Sequence, residues 1–202
     1  MTRRLVLLAG SCGLLALAGL QAAGQELTRT EAASMEKKIA AILERGNRSP
    51  APAVQPLRTP ISEREVNAYL QFSPQAQMPV GLVRPRITIS DGGALEGRAF
   101  VDLDAIRKSK PRGVFDPLNL MGGSVEAALT GRLFAANGKG VFQLKTATLG
   151  GVAIPKSVLQ EIVQYYTRTV DHPNGVDLDS PFDLPARIRQ VDVQRGAATI
   201  IQ

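Results

Sequence analysis

The chain has 202 residues, with 24 Lys and Arg against 18 Asp and Glu for a formal charge of +6. One His, one Cys and no Trp exclude a zinc site built on His and Cys and a disulfide framework, and leave few aromatic platforms for stacking single strands or sugars. The basic excess is mild and contains no dense run, so nucleic acid is not an expected partner.

Arg3 and Arg4 precede an apolar run over 5–20 that is broken by Gly10, Ser11 and Gly13. It is short for a membrane span, which needs about 20 residues, and has the shape of a secretory signal peptide. Ala22, Ala23 and Gly24 offer a processing site before Gln25. The alternatives are a retained N-terminal anchor, a twin-arginine signal and a lipoprotein attached at Cys12. The last is disfavoured because the apolar run continues past Cys12 to Leu20. Removal of residues 1–24 takes two arginines with it, so the charge falls from +6 to +4 and no cysteine remains. The expected location is therefore the periplasm or the extracellular space.

Residues 27–45 carry Met35, Ile39 and Ile42 or Leu43 at helical spacing, with Thr28 or Thr30 to start a helix and Gly46-Asn47 to end it. The segment 25–47 is read as an N-terminal helix or tether. Residues 48–60 are proline-rich and read as an extended linker. A single domain is then expected over 61–202.

That domain opens on ISEREVNAYLQF, over 61–72. Ser62 and Glu65 form an S-x-x-E capping box, and Ile61 with Val66 a hydrophobic staple. Val66, Tyr69 and Leu70 fall on one face, while Glu63, Arg64 and Asn67 are assigned to water. Strands follow over 84–90 and 95–104, turning at Asp91-Gly92-Gly93. In the second strand Leu95, Gly97, Ala99, Val101 and Leu103 alternate with polar residues. Residues 124–136 and 141–149 repeat the pattern about Asn137-Gly138. Small residues on the inward faces (Gly97, Ala99, Ala127, Gly131) allow a helix or ligand to approach the backbone. A second helix is expected over 154–169, with Pro155 in its first turn and a stripe of Val158, Leu159, Ile162, Val163 and Tyr166. A loop over 171–185 leads to a final hairpin, 186–194 and 197–202, turning at Arg195-Gly196.

Candidate chemistry is sparse. His172 sits in a turn-forming stretch, so a nucleophile–His arrangement has little to build on. Asp171, Asp177, Asp179 and Asp183 with Asn174 lack calcium-loop spacing and read as turn and capping residues. Asp102 and Asp104 share one strand face, the minimum for paired carboxylate work, but at its solvated end. No phosphate-loop or hydrolase signature appears. No enzyme, metal or cofactor is expected. The connection over 105–123 is basic (Arg107, Lys108, Lys110, Arg112) and then apolar (Val114, Phe115, Leu118, Leu120, Met121). It reads either as a docking loop for an anionic membrane surface or as a satellite core, with Phe115 and Leu118 tucked under the sheet.

The stretches ISEREVNAYL, Gly81-Leu82, PRITIS and LEGRAFVDLD, followed by GGVAIPKSVLQEIVQYY and DSPFDLPARIRQVDVQRGAATI, together resemble the small periplasmic lipid-binding proteins of the LmeA-like and YceB-like kind, over 61–201. The resemblance implies a tubular-lipid-binding fold, with a twisted antiparallel sheet wrapping a long helix and an apolar ligand between them. It supplies no catalytic residues. The expected architecture is thus α+β, with hairpins wrapped around one or two amphipathic helices. The expected function is non-enzymatic binding or transport of a lipid or other apolar molecule. The groove is assigned to Val66, Tyr69, Leu70, Ala99, Val101, Leu129, Leu133, Val158, Ile162 and Tyr166. The alternative is an envelope assembly protein with a solid core that holds a protein partner.

Overall fold

The computed structural model describes residues 26–48, 55–73, 78–109, 122–168, 173–175 and 177–202, without the side chains of residues 107, 109 and 165–167. Its first helix, α1 (Arg29–Asn47), starts at Thr28 with a complete capping box: the Thr28 hydroxyl accepts the Glu31 N–H, and the Glu31 carboxylate accepts the Thr28 N–H. Ile42 of α1 is buried with Ile61 and Ile188, and Met35 packs on the same cluster. Of the two expectations for this segment, helix or tether, it is a helix, and one that packs into the core.

The expected linker is also shorter than its prolines imply. β1 (Arg58–Ser62) begins inside it and pairs antiparallel with the last strand, on one side only. An edge strand tolerates Pro60, whose missing N–H removes no bond from a sheet interior. α2 (Glu63–Phe72) follows at once, with Ser62 at its N-cap and the Ser62–Glu65 capping box formed.

Two antiparallel sheets carry the rest. β2 (Leu82–Ile89) turns through a short 3-10 segment, Asp91–Gly93, into β3 (Ala94–Asp102). β4 (Ser124–Ala136), β5 (Lys139–Leu149) and β6 (Val152–Ala153) complete the order β2-β3-β4-β5-β6, and β7 (Phe182–Asp183) adds to β5. The two expected hairpins are joined by β3 and β4, with Gly97 opposite Leu129 and Ala99 opposite Ala127. β8 (Gln190–Gln194) and β9 (Ala197–Ile201) form the expected last hairpin, in a separate three-stranded sheet ordered β1-β9-β8. α4 (Lys156–Thr167) lies between β6 and β7 in sequence, with Pro155 as its N-cap. The architecture is α+β with a large antiparallel sheet, as the alternating patterns predict. Among the described residues no helix is long and apolar enough to cross a membrane.

Two local expectations change. The strand assigned to 95–104 stops at Asp102 and becomes α3 (Leu103–Ser109). The reason is that the Asp102 carboxylate accepts the N–H groups of Asp104 and Ala105, a side-chain cap. Asp104 in turn accepts the Gly123 N–H, so both acids of the supposed pair organise backbone.

The larger correction concerns α2. Its most buried residues are Glu65, Asn67 and Ala68. β2 is an edge strand, and alternate residues of such a strand point both backbone groups outward. Here Ile87 donates to Asn67 Oδ1 and accepts from Asn67 Nδ2, both at 2.7 Å. Ile89 donates to Glu63 Oε2 at 2.7 Å, and its carbonyl accepts the Gly196 N–H at 2.9 Å. Glu63 and Asn67 are four apart on a helix, about 6 Å, and Ile89 and Ile87 two apart on a strand, about 6.7 Å. Matched spacing lets α2 close the edge with side chains where a further strand would use its backbone.

Replacing Asn67 by Ala strands both Ile87 groups, at about 1–3 kcal/mol each when buried. Asn67→Ala is expected to lower unfolding free energy by about 2–4 kcal/mol in urea titrations, whereas exposed Gln71→Ala stays within about 0.5 kcal/mol.

Candidate functional site

The inner face of the large sheet alternates small and large residues. Gly97 and Ala99 on β3 and Ala127 on β4 lie side by side, with Leu129 opposite Ala147 of β5. Small side chains there leave room that no helix fills. Between α2 on one side and α4 on the other lies an open groove of about 390 Å3 with almost wholly apolar walls. Its floor includes Gly97, Ala99, Ala127, Leu129 and Ala147, and Leu70 of α2 and Leu159 of α4 also line it. Leu129 remains 40% exposed in the middle of the sheet. Apolar surface uncovered at such a central position is a feature of a binding groove.

Of the ten residues assigned to this groove from sequence, Leu70, Ala99 and Leu129 line it. Val66 belongs instead to the cluster of Ile42, Ile61 and Ile188, because α2 leans on α1 at that point. Tyr69 is half-buried on α2 and is not among the residues that line the groove. Val101 and Leu133 face inward beyond the groove, paired with Val125 and Phe142 respectively. Val158 is 44% exposed beside the lining Leu159, and Ile162 is half-buried one turn later. The Tyr166 side chain lies outside the described residues, as do Lys110, Arg112, Phe115 and Leu118 of the basic connection and His172. Arg107 and Lys108 fall in α3, with Lys108 exposed.

Sequence reasoning missed the walls contributed by Met78, Pro79, Leu82 and Pro85 and by Ile154. Prolines mark breaks, so these residues read as boundaries, and β2 carries a bulge between Val83 and Arg86 at this point. Ala147 was the available signal: it is the small residue of β5 that falls opposite Leu129 in register.

A polar joint holds α1 against α2 next to this groove. The Glu65 carboxylate accepts Lys38 Nζ at 2.6 Å, the Ser34 hydroxyl at 2.6 Å, and the Ser62 N–H at 2.8 Å. Burial pushes the Glu65 pKa up, but the bonds from Lys38, Ser34 and Ser62 more than offset it and hold it near 2 against an ordinary 4.5. Arg64 does the same for Glu31, bonding it at 2.6 Å, and with the Thr28 N–H keeps its carboxyl at about 2. At the other end of the chain Asp177 accepts the Asp179 N–H and the Ser180 hydroxyl, which lower its pKa, and Asp179 and Asp183 pair with Lys156 and Lys139. These acids shape turns. Among the described residues no group of three His, Cys, Asp or Glu stands together as a metal site.

No protein-family model matches the chain, and no curated protein matches it.

Because folding holds Glu65 ionised, its contribution is fully present above about pH 4.5 and is lost as pH falls toward 2. Glu65→Gln is expected to cost up to about 3 kcal/mol at neutral pH. Its urea midpoint should converge with that of the parent between pH 4.5 and 2; a gap that stays constant across this range would show that ionisation of Glu65 is irrelevant.

Proposed function

We propose that the protein binds a lipid chain or comparable apolar molecule in the groove between α2, α4 and the small-residue face of the large sheet. The observation that carries this reading is the exposure of Leu129 at the centre of an apolar groove of about 390 Å3, within the size range of ligand pockets. Covering that surface returns roughly 25 cal/mol per Å2 of apolar area, with little polar surface in the walls to desolvate. The resemblance to LmeA-like and YceB-like lipid-binding proteins agrees with it. In this reading the protein is a non-enzymatic carrier that works outside the cytoplasm, exported on its first 24 residues. An assembly protein with a solid core is less well supported, since the groove leaves the centre of the sheet uncovered.

The purified full chain, analysed by native mass spectrometry and by organic extraction, is expected to yield bound lipid. Ala127→Leu with Ala147→Leu fills the groove floor. It should reduce occupancy at least about tenfold, equivalent to about 1.4 kcal/mol, while Tm holds or rises because apolar area is newly buried. Recovery of no lipid from the parent, or equal occupancy in the filled variant, refutes the carrier reading.

A further inference from the structure

A second depression, about 680 Å3, lies against the three-stranded sheet and shares no lining residue with the apolar groove. Arg58, Arg187 and Arg189 all line it, with Asn137 beside them. Lys38, Arg64, Arg98, Lys139 and Arg195, by comparison, each have a carboxylate within 3.4 Å. Here Arg58 pairs loosely with Asp192, at 3.7 Å and beyond hydrogen-bond range. Arg187 and Arg189 instead donate to backbone carbonyls, of Arg48 at 2.8 Å and of Gln202 at 3.0 Å. A carbonyl orients a guanidinium without cancelling its charge, and one such bond leaves most of its five donors unused.

The backbone that presents Arg187 is strained. The Ile188 N–H bonds the Pro185 carbonyl at 3.0 Å, closing a turn whose central residues, Ala186 and Arg187, have φ of 52° and 55°. That conformation ordinarily takes Asn and Gly, and left-handed non-glycine residues persist where surrounding structure enforces them, commonly at functional sites. The enforcement is visible. Gly46 of α1 packs so closely that a Cβ there would meet Ala186 Cα at 2.5 Å, and the Gln202 side chain donates to the Ala186 carbonyl at 2.6 Å.

From the carbonyl-held Arg187 and Arg189 and the clamped turn together, we infer that this depression is a binding site for a phosphate group. Arg187 and Arg189 keep unused guanidinium donors, and a phosphate offers more acceptor oxygens than a carboxylate and suits bidentate guanidinium contacts. The phosphate comes either from a small soluble ion or ester or from a phospholipid headgroup.

The test titrates the full chain with inorganic phosphate by calorimetry, and separately by co-sedimentation with vesicles of phosphatidylcholine with and without phosphatidylglycerol. Binding is expected in at least one arm. Arg187→Gln and Arg189→Gln should each weaken it about 10- to 100-fold, the range for a charge-assisted hydrogen bond, with Lys145→Gln on β5 as the unaffected control. Response to phosphate alone assigns a soluble ligand, and response only to phosphatidylglycerol vesicles assigns a headgroup. Arg187→Gly separates binding from folding: glycine accepts the positive φ, so Tm holds while affinity falls. Absence of binding in both arms, or binding unchanged in Arg187→Gln/Arg189→Gln, overturns the site. Neither result bears on the apolar groove, which has its own lipid readout.

Discussion

Ile87 and Ile89 present four outward backbone groups at the edge of the large sheet, and everything on that side of the molecule is arranged to satisfy them. Asn67 takes two, Glu63 a third and Gly196 the fourth. The last contact recruits the β8–β9 turn, where Arg195 also donates from its backbone to Asp91 at 2.9 Å. The Glu63 N–H donates to the Gly196 carbonyl at 2.7 Å, so the first turn of α2 is where helix, large sheet and small sheet meet. Unsatisfied edges invite pairing with other chains, and this one is closed by a helix.

That joint divides the molecule into a filled half and an open half. Upstream, β1 runs directly into α2 and brings Ile61 onto Ile42 and Ile188, with α1 fastened by Lys38–Glu65 and Arg64–Glu31. Downstream, α2 stands over β2 with Leu70 above a floor of Gly97, Ala99 and Ala127. No large side chain among the described residues is under 2% exposed, so the interior is thin and its apolar face on the large sheet is only partly covered.

The period-two strands, the caps at Thr28 and Ser62 and the turns at Asn137-Gly138 and Arg195-Gly196 were legible in the sequence because each depends on neighbours a few residues away. The small-residue patch was legible for the same reason: Gly97, Ala99 and Ala127 lie under the groove, whereas the Phe142 ring packs against Gly131. What sequence spacing hid was pairing across the chain. Asn67 and Glu63 look like solvated helix positions until the edge of β2, some twenty residues on, is placed beside them. Val66 looks like a wall until α1 arrives. Arg187 and Arg189 carry no motif at all. They matter because a strained turn, a glycine of α1 and Gln202 just after β9 meet at one place.

The groove stays open for a reason that apolar packing alone does not supply. Hydrophobic contact is non-directional and would draw α2 and α4 together over the alanines and glycine until the gap closed. Directional bonds oppose this. α2 is held by two side chains whose spacing matches the β2 edge, so sliding inward would break the contacts with Ile87 and Ile89 together. α4 is tethered at its start by the Ile154 N–H to Ala147 carbonyl bond at 2.8 Å and downstream by Gln160, which accepts the Leu178 N–H at 2.8 Å. Each buried partner left unmatched would cost about 1–3 kcal/mol, comparable to what collapse over one leucine would return. Polar joints at the sides therefore preserve an apolar space at the centre, which an apolar guest can cover without breaking any of them.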